Sequence, residues 1–150
     1  MLRKLLFVSL VVATLASCKK DNNDAPAYNV SAKVDGTKID FNATVSATRN
    51  GDDVMVMGFG GNAASPYPAF TIYLNDDAAI TAKAYTAVDG DVEVMYAAVG
   101  GQATYSSDAD FTVTVSTITA TEVKGSFSGK VDNGSGIKTI SEGTFSAKFQ

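Results

Sequence analysis

From residue 28 onward, apolar and polar residues alternate with a period of two along most of the chain. In Ile39-Asp40-Phe41-Asn42-Ala43-Thr44-Val45-Ser46-Ala47 every odd position is apolar and every even one polar. Phe111-Thr112-Val113-Thr114-Val115 repeats the pattern, as do Val123, Phe127 and Val131 on one parity, and Phe145-Ser146-Ala147-Lys148-Phe149 closes the chain the same way. Successive side chains of a strand point to opposite faces, so such stripes suit antiparallel strands with one face on a core and one in water. The many Thr and Val residues favour a pleated surface over a helix.

Turn chemistry falls between the stripes. Asp35-Gly36, Asn50-Gly51, Asp89-Gly90 and Asp132-Asn133-Gly134-Ser135-Gly136 supply residues that tolerate the positive φ of tight hairpin turns. The pattern predicts strands over Tyr28–Val34, Thr37–Arg49, Val54–Phe59, Ala69–Leu74, Lys83–Ala87, Val92–Val99, Asp110–Thr119, Glu122–Val131 and Lys138–Phe149. Only Asp76–Ala84 is suited to a helical turn. The expected fold is all-β: an antiparallel β-sandwich or flattened up-and-down barrel of about eight or nine strands, mostly in meander order.

Two segments depart from clean alternation. Val54-Met55-Val56-Met57 is apolar on both parities, which suits a central strand covered on both faces or a wall beside an apolar cavity. Between Ile140 and Phe145 the inward parity switches, and Gly143 is the natural place for a bulge.

The first residues follow another logic. Met1-Leu2-Arg3-Lys4 is a short basic start, and an apolar run from Leu5 to Ala13, interrupted by Ser9, leads into Leu15-Ala16-Ser17-Cys18. That is the layout of a secretory signal peptide. The run is shorter than the ~20 residues needed to span a bilayer. Leu-Ala-Ser-Cys resembles a bacterial lipobox, which makes Cys18 the lipidated first residue of the mature chain. Two acyl chains hold a protein stably at a membrane where one does not. Cys18 is the single cysteine of the chain, so no intrachain disulfide competes for it. The polar stretch Lys19–Ala27 reads as a flexible tether. The expected organisation is a signal peptide over 1–17, a tether over 18–27 and one β-domain over 28–150.

Charge narrows the partners. The whole chain carries a formal charge of −4, and loss of residues 1–17 leaves ten basic and sixteen acidic residues. A mildly acidic surface without basic clusters argues against nucleic acid, and leaves the lipid as the means of membrane attachment. Position two after the cut is Lys19 rather than Asp, which favours the outer membrane, with surface exposure or the periplasmic face as alternatives.

The residue inventory removes much standard chemistry. There is no histidine, so Ser or Cys nucleophiles lack their usual base and the commonest metal ligand is missing. No cofactor is implied, and no catalytic residue is singled out. Carboxylate pairs occur at Asp52-Asp53, Asp76-Asp77 and Asp108 with Asp110, all at turns, where solvated Asp is ordinary. Asp89, Asp91 and Glu93 place alternate oxygen donors that could hold calcium, without the length of an EF-hand loop. Gly60-Gly61 and Gly100-Gly101 precede neither a helix nor a Lys-Ser/Thr pair, so they are not phosphate loops. Tyr67, between Pro66 and Pro68, and Tyr105, before Ser106-Ser107-Asp108, read as loop aromatics able to stack on a sugar or peptide.

Val30-Ser31-Ala32-Lys33-Val34-Asp35-Gly36-Thr37-Lys38-Ile39-Asp40-Phe41, Val123-Lys124-Gly125-Ser126-Phe127-Ser128-Gly129 and Ile140-Ser141-Glu142-Gly143-Thr144-Phe145-Ser146-Ala147-Lys148-Phe149 resemble segments of small Bacteroidota lipoproteins of unknown function. The resemblance covers the two ends of the domain. It implies an exported β-domain and supplies no active-site residues. The reading that follows is an exported, lipid-anchored protein with a non-catalytic interaction or structural role at the cell envelope, its partner an envelope protein or glycan. Two alternatives stay open: a β-barrel binding an apolar or glycan ligand, and a carboxylate-dependent hydrolase.

Overall fold

Alternation and turn chemistry give eleven strands in the computed structural model, which describes residues 28–62, 64–65 and 67–150. They are β1 (Asn29–Val34), β2 (Thr37–Asp40), β3 (Thr44–Asn50), β4 (Asp53–Phe59), β5 (Ala69–Leu74), β6 (Ala84–Thr86), β7 (Val92–Ala97), β8 (Thr104–Ser107), β9 (Thr112–Ile118), β10 (Glu122–Asp132) and β11 (Ile137–Lys148). The all-β class is as expected. The signal segment 1–17, the tether 18–27 and Cys18 lie outside the described residues.

Two departures account for the extra strands. Thr37–Arg49 is not continuous, because the chain leaves β1 at Asp40 and re-enters the sheet elsewhere at Thr44. Phe41 is fully buried at that corner, its amide donates to the Val30 carbonyl at 2.8 Å, and the Val30 amide donates to Asn42 Oδ1 at 2.9 Å. Alternation runs through Phe41 unbroken, so nothing in the period betrays the corner. The second departure is Thr104–Ser107, which pairs with β7 and β10 rather than forming a loop. Asp76–Ala84 holds no helix; the one short helical turn among the described residues is a 3-10 turn at Val99–Gly101.

All the ladders are antiparallel, in the order β2-β1-β11-β10-β8-β7-β5-β4-β3. The meander is broken at three places: β1 pairs with β11, β5 pairs with β7, and β10 pairs through Val123–Ser128 with β9 and only through Val131–Asp132 with β8, while β6 lies on β9. The sheet curls into a half-barrel. Its far strand β3 meets the end of the chain, where Ala47 bridges Phe149 and the Gln150 amide donates to the Ala47 carbonyl at 3.1 Å. At the opposite edge β2 has only four residues and carries a Lys38–Asp40 ion pair at 3.3 Å.

The concave side holds the core. Val30, Val54, Val56, Phe70, Ile72, Leu74, Val94, Val113, Phe127, Val131 and Phe145 are buried there, each on the inward parity of its strand. Phe127 is central. Its ring centroid lies 4.6 Å from Phe70, and 6.4 Å from each of Phe111 and Phe145. The register makes this possible. Gly125 lies opposite Phe145, and Phe127 lies opposite Gly143, so each ring rests on a residue without a side chain. A Cβ at Gly143 would stand 2.5 Å from Phe127 Cε2, and one at Gly125 would stand 2.5 Å from Phe145 Cζ.

The parity switch in β11 is a bulge. Both neighbours of β11 advance two residues while it advances three, around Ser141–Glu142. The left-handed residue is Glu142, φ 50°, and not Gly143. The Glu142 carboxylate accepts Lys33 Nζ of β1 at 2.6 Å, and Gly143 is needed for the space under Phe127.

Gly143→Ala drives a methyl into Phe127 and its carbonyl. Phe127→Ala removes the central ring, at a cost of about 3–5 kcal/mol by the usual large-to-small scale. Both variants will lower the urea midpoint, and the double variant will lose less than the sum because the first clash is relieved by the second change. The β1–β2 turn carries a pH-sensitive contact. Asp35, φ 49°, accepts Lys138 Nζ at 2.7 Å and the Thr139 amide at 2.9 Å, and its carboxyl is held below the ordinary carboxylate value of 3.8 chiefly by the Lys138 hydrogen bond. A depressed folded-state value stabilises above 3.8 and is lost as pH falls through it. Asp35→Asn will therefore lower the melting temperature at neutral pH, and the gap from wild type will close in acid.

Candidate functional site

The same alternation that sends Val54, Val56 and Gly58 inward sends Asp53, Met55, Met57 and Phe59 to the convex side of β4. On β5 the convex set is Ala69, Thr71 and Tyr73, and on β7 it is Glu93, Met95 and Ala97. Register aligns these residues in rows across three strands. Met55, Tyr73 and Glu93 form one row, with Thr48 of β3 at its end. Met57, Thr71 and Met95 form the next, continued by Ser106 of β8. Rows on one face are two residues, about 7 Å, apart.

The Val54–Met57 segment thus lies in a strand flanked on both sides, next to the end strand β3 rather than at the centre of the sheet, and its second face is not covered. Met55 and Met57 are half-buried, and Met95 is 42% exposed. Met55, Thr71, Tyr73, Glu93 and Met95 line a shallow, largely apolar depression of about 270 Å³. Tyr73 is its boundary. On the other side of that ring lies an acidic depression of about 340 Å³ formed by Asp53, Asn75, Asp76, Asp77, Asp89, Gly90 and Asp91. Tyr73 lines both, so the two depressions adjoin as a trough with an apolar part and an acidic end.

Hydrogen bonding fixes the boundary. The Tyr73 hydroxyl donates to Asp53 Oδ2, and this bond raises the phenol above its ordinary value of 10.0, because losing the proton would set two anions together. Asp76 accepts Lys83 Nζ at 2.5 Å, which holds its carboxyl below 3.8 and raises the lysine above 10.5. Both shifts keep the groups in their resting charge state. A general acid needs a carboxyl shifted the other way, toward the operating pH. Lys83 also lies 4.7 Å from the centre of the Tyr85 ring.

Of the sequence candidates, Asp89 and Asp91 share the acidic depression, while Glu93 lines the apolar one. Asp89 is turned back on its own turn, accepting the Thr86 hydroxyl at 2.5 Å. Among the described residues no group of three or more acidic side chains is close enough to hold a metal ion, so the three proposed calcium donors are not gathered at one point. Asp108 and Asp110 stand elsewhere: Asp108 accepts the Ala109 amide and Asp110 the Lys130 amide.

Tyr67 is a loop residue, 38% exposed, as expected, but its ring lies over Gly101, where an added Cβ would come within 2.8 Å of Tyr67 Cδ2. Tyr105 is not a loop residue. It belongs to β8, opposite Tyr96, and the two rings stack at 5.9 Å against the core. The polar run after Tyr105 resembles a loop in sequence, yet Ser107 Oγ accepts the Val94 amide and so continues the contact with β7.

Tyr73 and Met95 carry no functional signal in the sequence alone. Counting parity outward from Ile72 and Val94 places both on the convex side, but only the register of β4, β5 and β7 shows that they adjoin Met55. Comparison of the chain with known protein families, curated proteins and solved structures found no match. Asp53→Asn will bring the Tyr73 phenol back toward 10.0, read as an earlier onset of tyrosinate absorbance on alkaline titration; an unchanged onset would break the Asp53–Tyr73 pairing.

Proposed function

We propose that this protein is a lipid-anchored component of the cell envelope whose β-domain acts by binding, through the convex face of β4, β5 and β7. The observation that carries the binding half is the uncovered Met55–Met57–Tyr73–Met95 surface on a sheet whose other side is filled by stacked rings. Methionine is a soft, adaptable residue favoured on binding surfaces. Tyrosine adds a large rigid face with a polar tip. Unlike scattered single apolar residues, these four are neighbours on one face, which marks an interaction surface.

The anchoring half is supported by Leu15-Ala16-Ser17-Cys18 behind a basic start and an apolar run, and by the resemblance to small Bacteroidota lipoproteins. Cys18 is the acylated residue, residues 19–27 are the tether, and the outer membrane is the site of attachment. Catalysis is not part of this reading: the chain has no histidine, and the carboxylate and phenol with shifted values on the trough are stabilised in their resting forms.

Each half has its own test. Cys18→Ala will abolish labelling by a palmitate analogue and move the protein from membrane to soluble fractions; persistent labelling would overturn the anchor. A photo-crosslinking residue placed at Met95 in living cells will give a discrete adduct, and one placed at Thr117, on β9, will not. Adducts from both positions alike, or from neither, would overturn the binding face.

A further inference from the structure

The charges of the domain are unevenly paired. Residues 28–150 hold eight basic and fourteen acidic side chains. Among the described residues six lysines are in ion pairs: Lys33 with Glu142, Lys38 with Asp40, Lys83 with Asp76, Lys124 with Glu122, Lys130 with Asp110 and Lys138 with Asp35. Arg49 is directed away from the trough, donating to the Thr119 carbonyl at 3.3 Å and lying 4.6 Å over the Phe149 ring. At the trough the balance reverses. Among the described residues Asp53, Asp77, Asp89, Asp91 and Glu93 line it without an ion pair, and Asp76, which also lines it, holds Lys83.

Resting on the binding face argued above, we infer that its occupant is a basic amphipathic peptide segment of another protein, with lysine or arginine interleaved with apolar residues. The stems and apolar side chains of such a segment cover Met55, Tyr73 and Met95, and its cationic heads reach Glu93 beside them and the row of Asp53 and Asp91 beyond Tyr73. Lysine and arginine bury their methylenes along apolar surface while the charged head stays wet. Tyr73 offers a ring face to the same cations. A second copy of this chain is the wrong occupant, since docking two such faces sets like-charged rims together. An anionic lipid surface is excluded by the same repulsion. Charge surplus beside an apolar floor selects for partner sign and speeds encounter more than it adds affinity.

The three methionines of the domain, Met55, Met57 and Met95, all lie on this face, so labelled methionine methyls report on it alone. The full lipidated mature chain, held in zwitterionic nanodiscs, is titrated with a short peptide alternating Lys with Val, and with Glu/Val and Ser/Val counterparts. The Lys/Val peptide will shift the methionine methyls and bind at least about tenfold more tightly than Ser/Val, through charge complementarity. That advantage will vanish at about 0.5 M salt, where the Debye length falls to roughly 4 Å. It will also vanish in the Asp53→Asn/Asp91→Asn/Glu93→Gln variant, whose circular dichroism will match wild type. Equal binding of Lys/Val and Ser/Val overturns the cationic occupant while sparing the binding face. Methyl shifts that depend on protein concentration alone overturn it in favour of self-association. No shift with any peptide overturns it as well, and the crosslinking from Met95 then decides whether the face itself survives.

Discussion

The fit of two phenylalanine rings onto two glycines holds the rest of the molecule in register. Phe127 and Phe145 stand diagonally across the β10–β11 ladder, each over the glycine opposite it. Phe127 also touches Phe70 from the β5 side of the half-barrel and Phe111 from the segment leading into β9. The two longest strands are thus tied to both flanks of the sheet through one ring. A slip of β11 by one residue would turn Phe145 to solvent and place a side chain under Phe127, so the register has no near neighbour of comparable energy. The bulge at Glu142 belongs to the same constraint, since it absorbs the extra residue needed to keep Ile140 and Phe145 on one face.

Strand content, turn sites and the inward parity were legible because each is a local property. Asp35-Gly36, Asn50-Gly51 and the Asp132–Gly136 run all bound observed strands, and Ala69–Leu74 is found at its expected limits. The corner at Phe41 and the strand Thr104–Ser107 were not legible, because both depend on partners distant in sequence. Phe41 is fixed by Val30 and Asn42, and β8 by β7 and β10. The trough escaped notice for that reason too. Met55, Tyr73 and Met95 are separated by many residues and become neighbours only when the ladders are set.

Each strand of the β4–β5–β7 group serves two purposes with alternate residues. Val54, Val56, Ile72, Leu74, Val92 and Val94 commit their faces to the core. The residues between them are free of that duty, and their composition is therefore a record of what the convex side meets. Methionine, tyrosine and unpaired carboxylates are an unusual choice for a face that meets only water. Threonine and serine, which line the exposed parity of β9, are the ordinary one.

The two ends of the sheet differ from its middle. β2 is short and charged, and β3 is bonded to the last residues of the chain at Ala47. A long bare strand would offer a row of free amides and carbonyls to any identical neighbour and seed growth of a fibre. Here one terminus is too brief to template another molecule and the other is partly occupied. Neither end therefore offers a second copy of this domain a long, fully bare strand to extend.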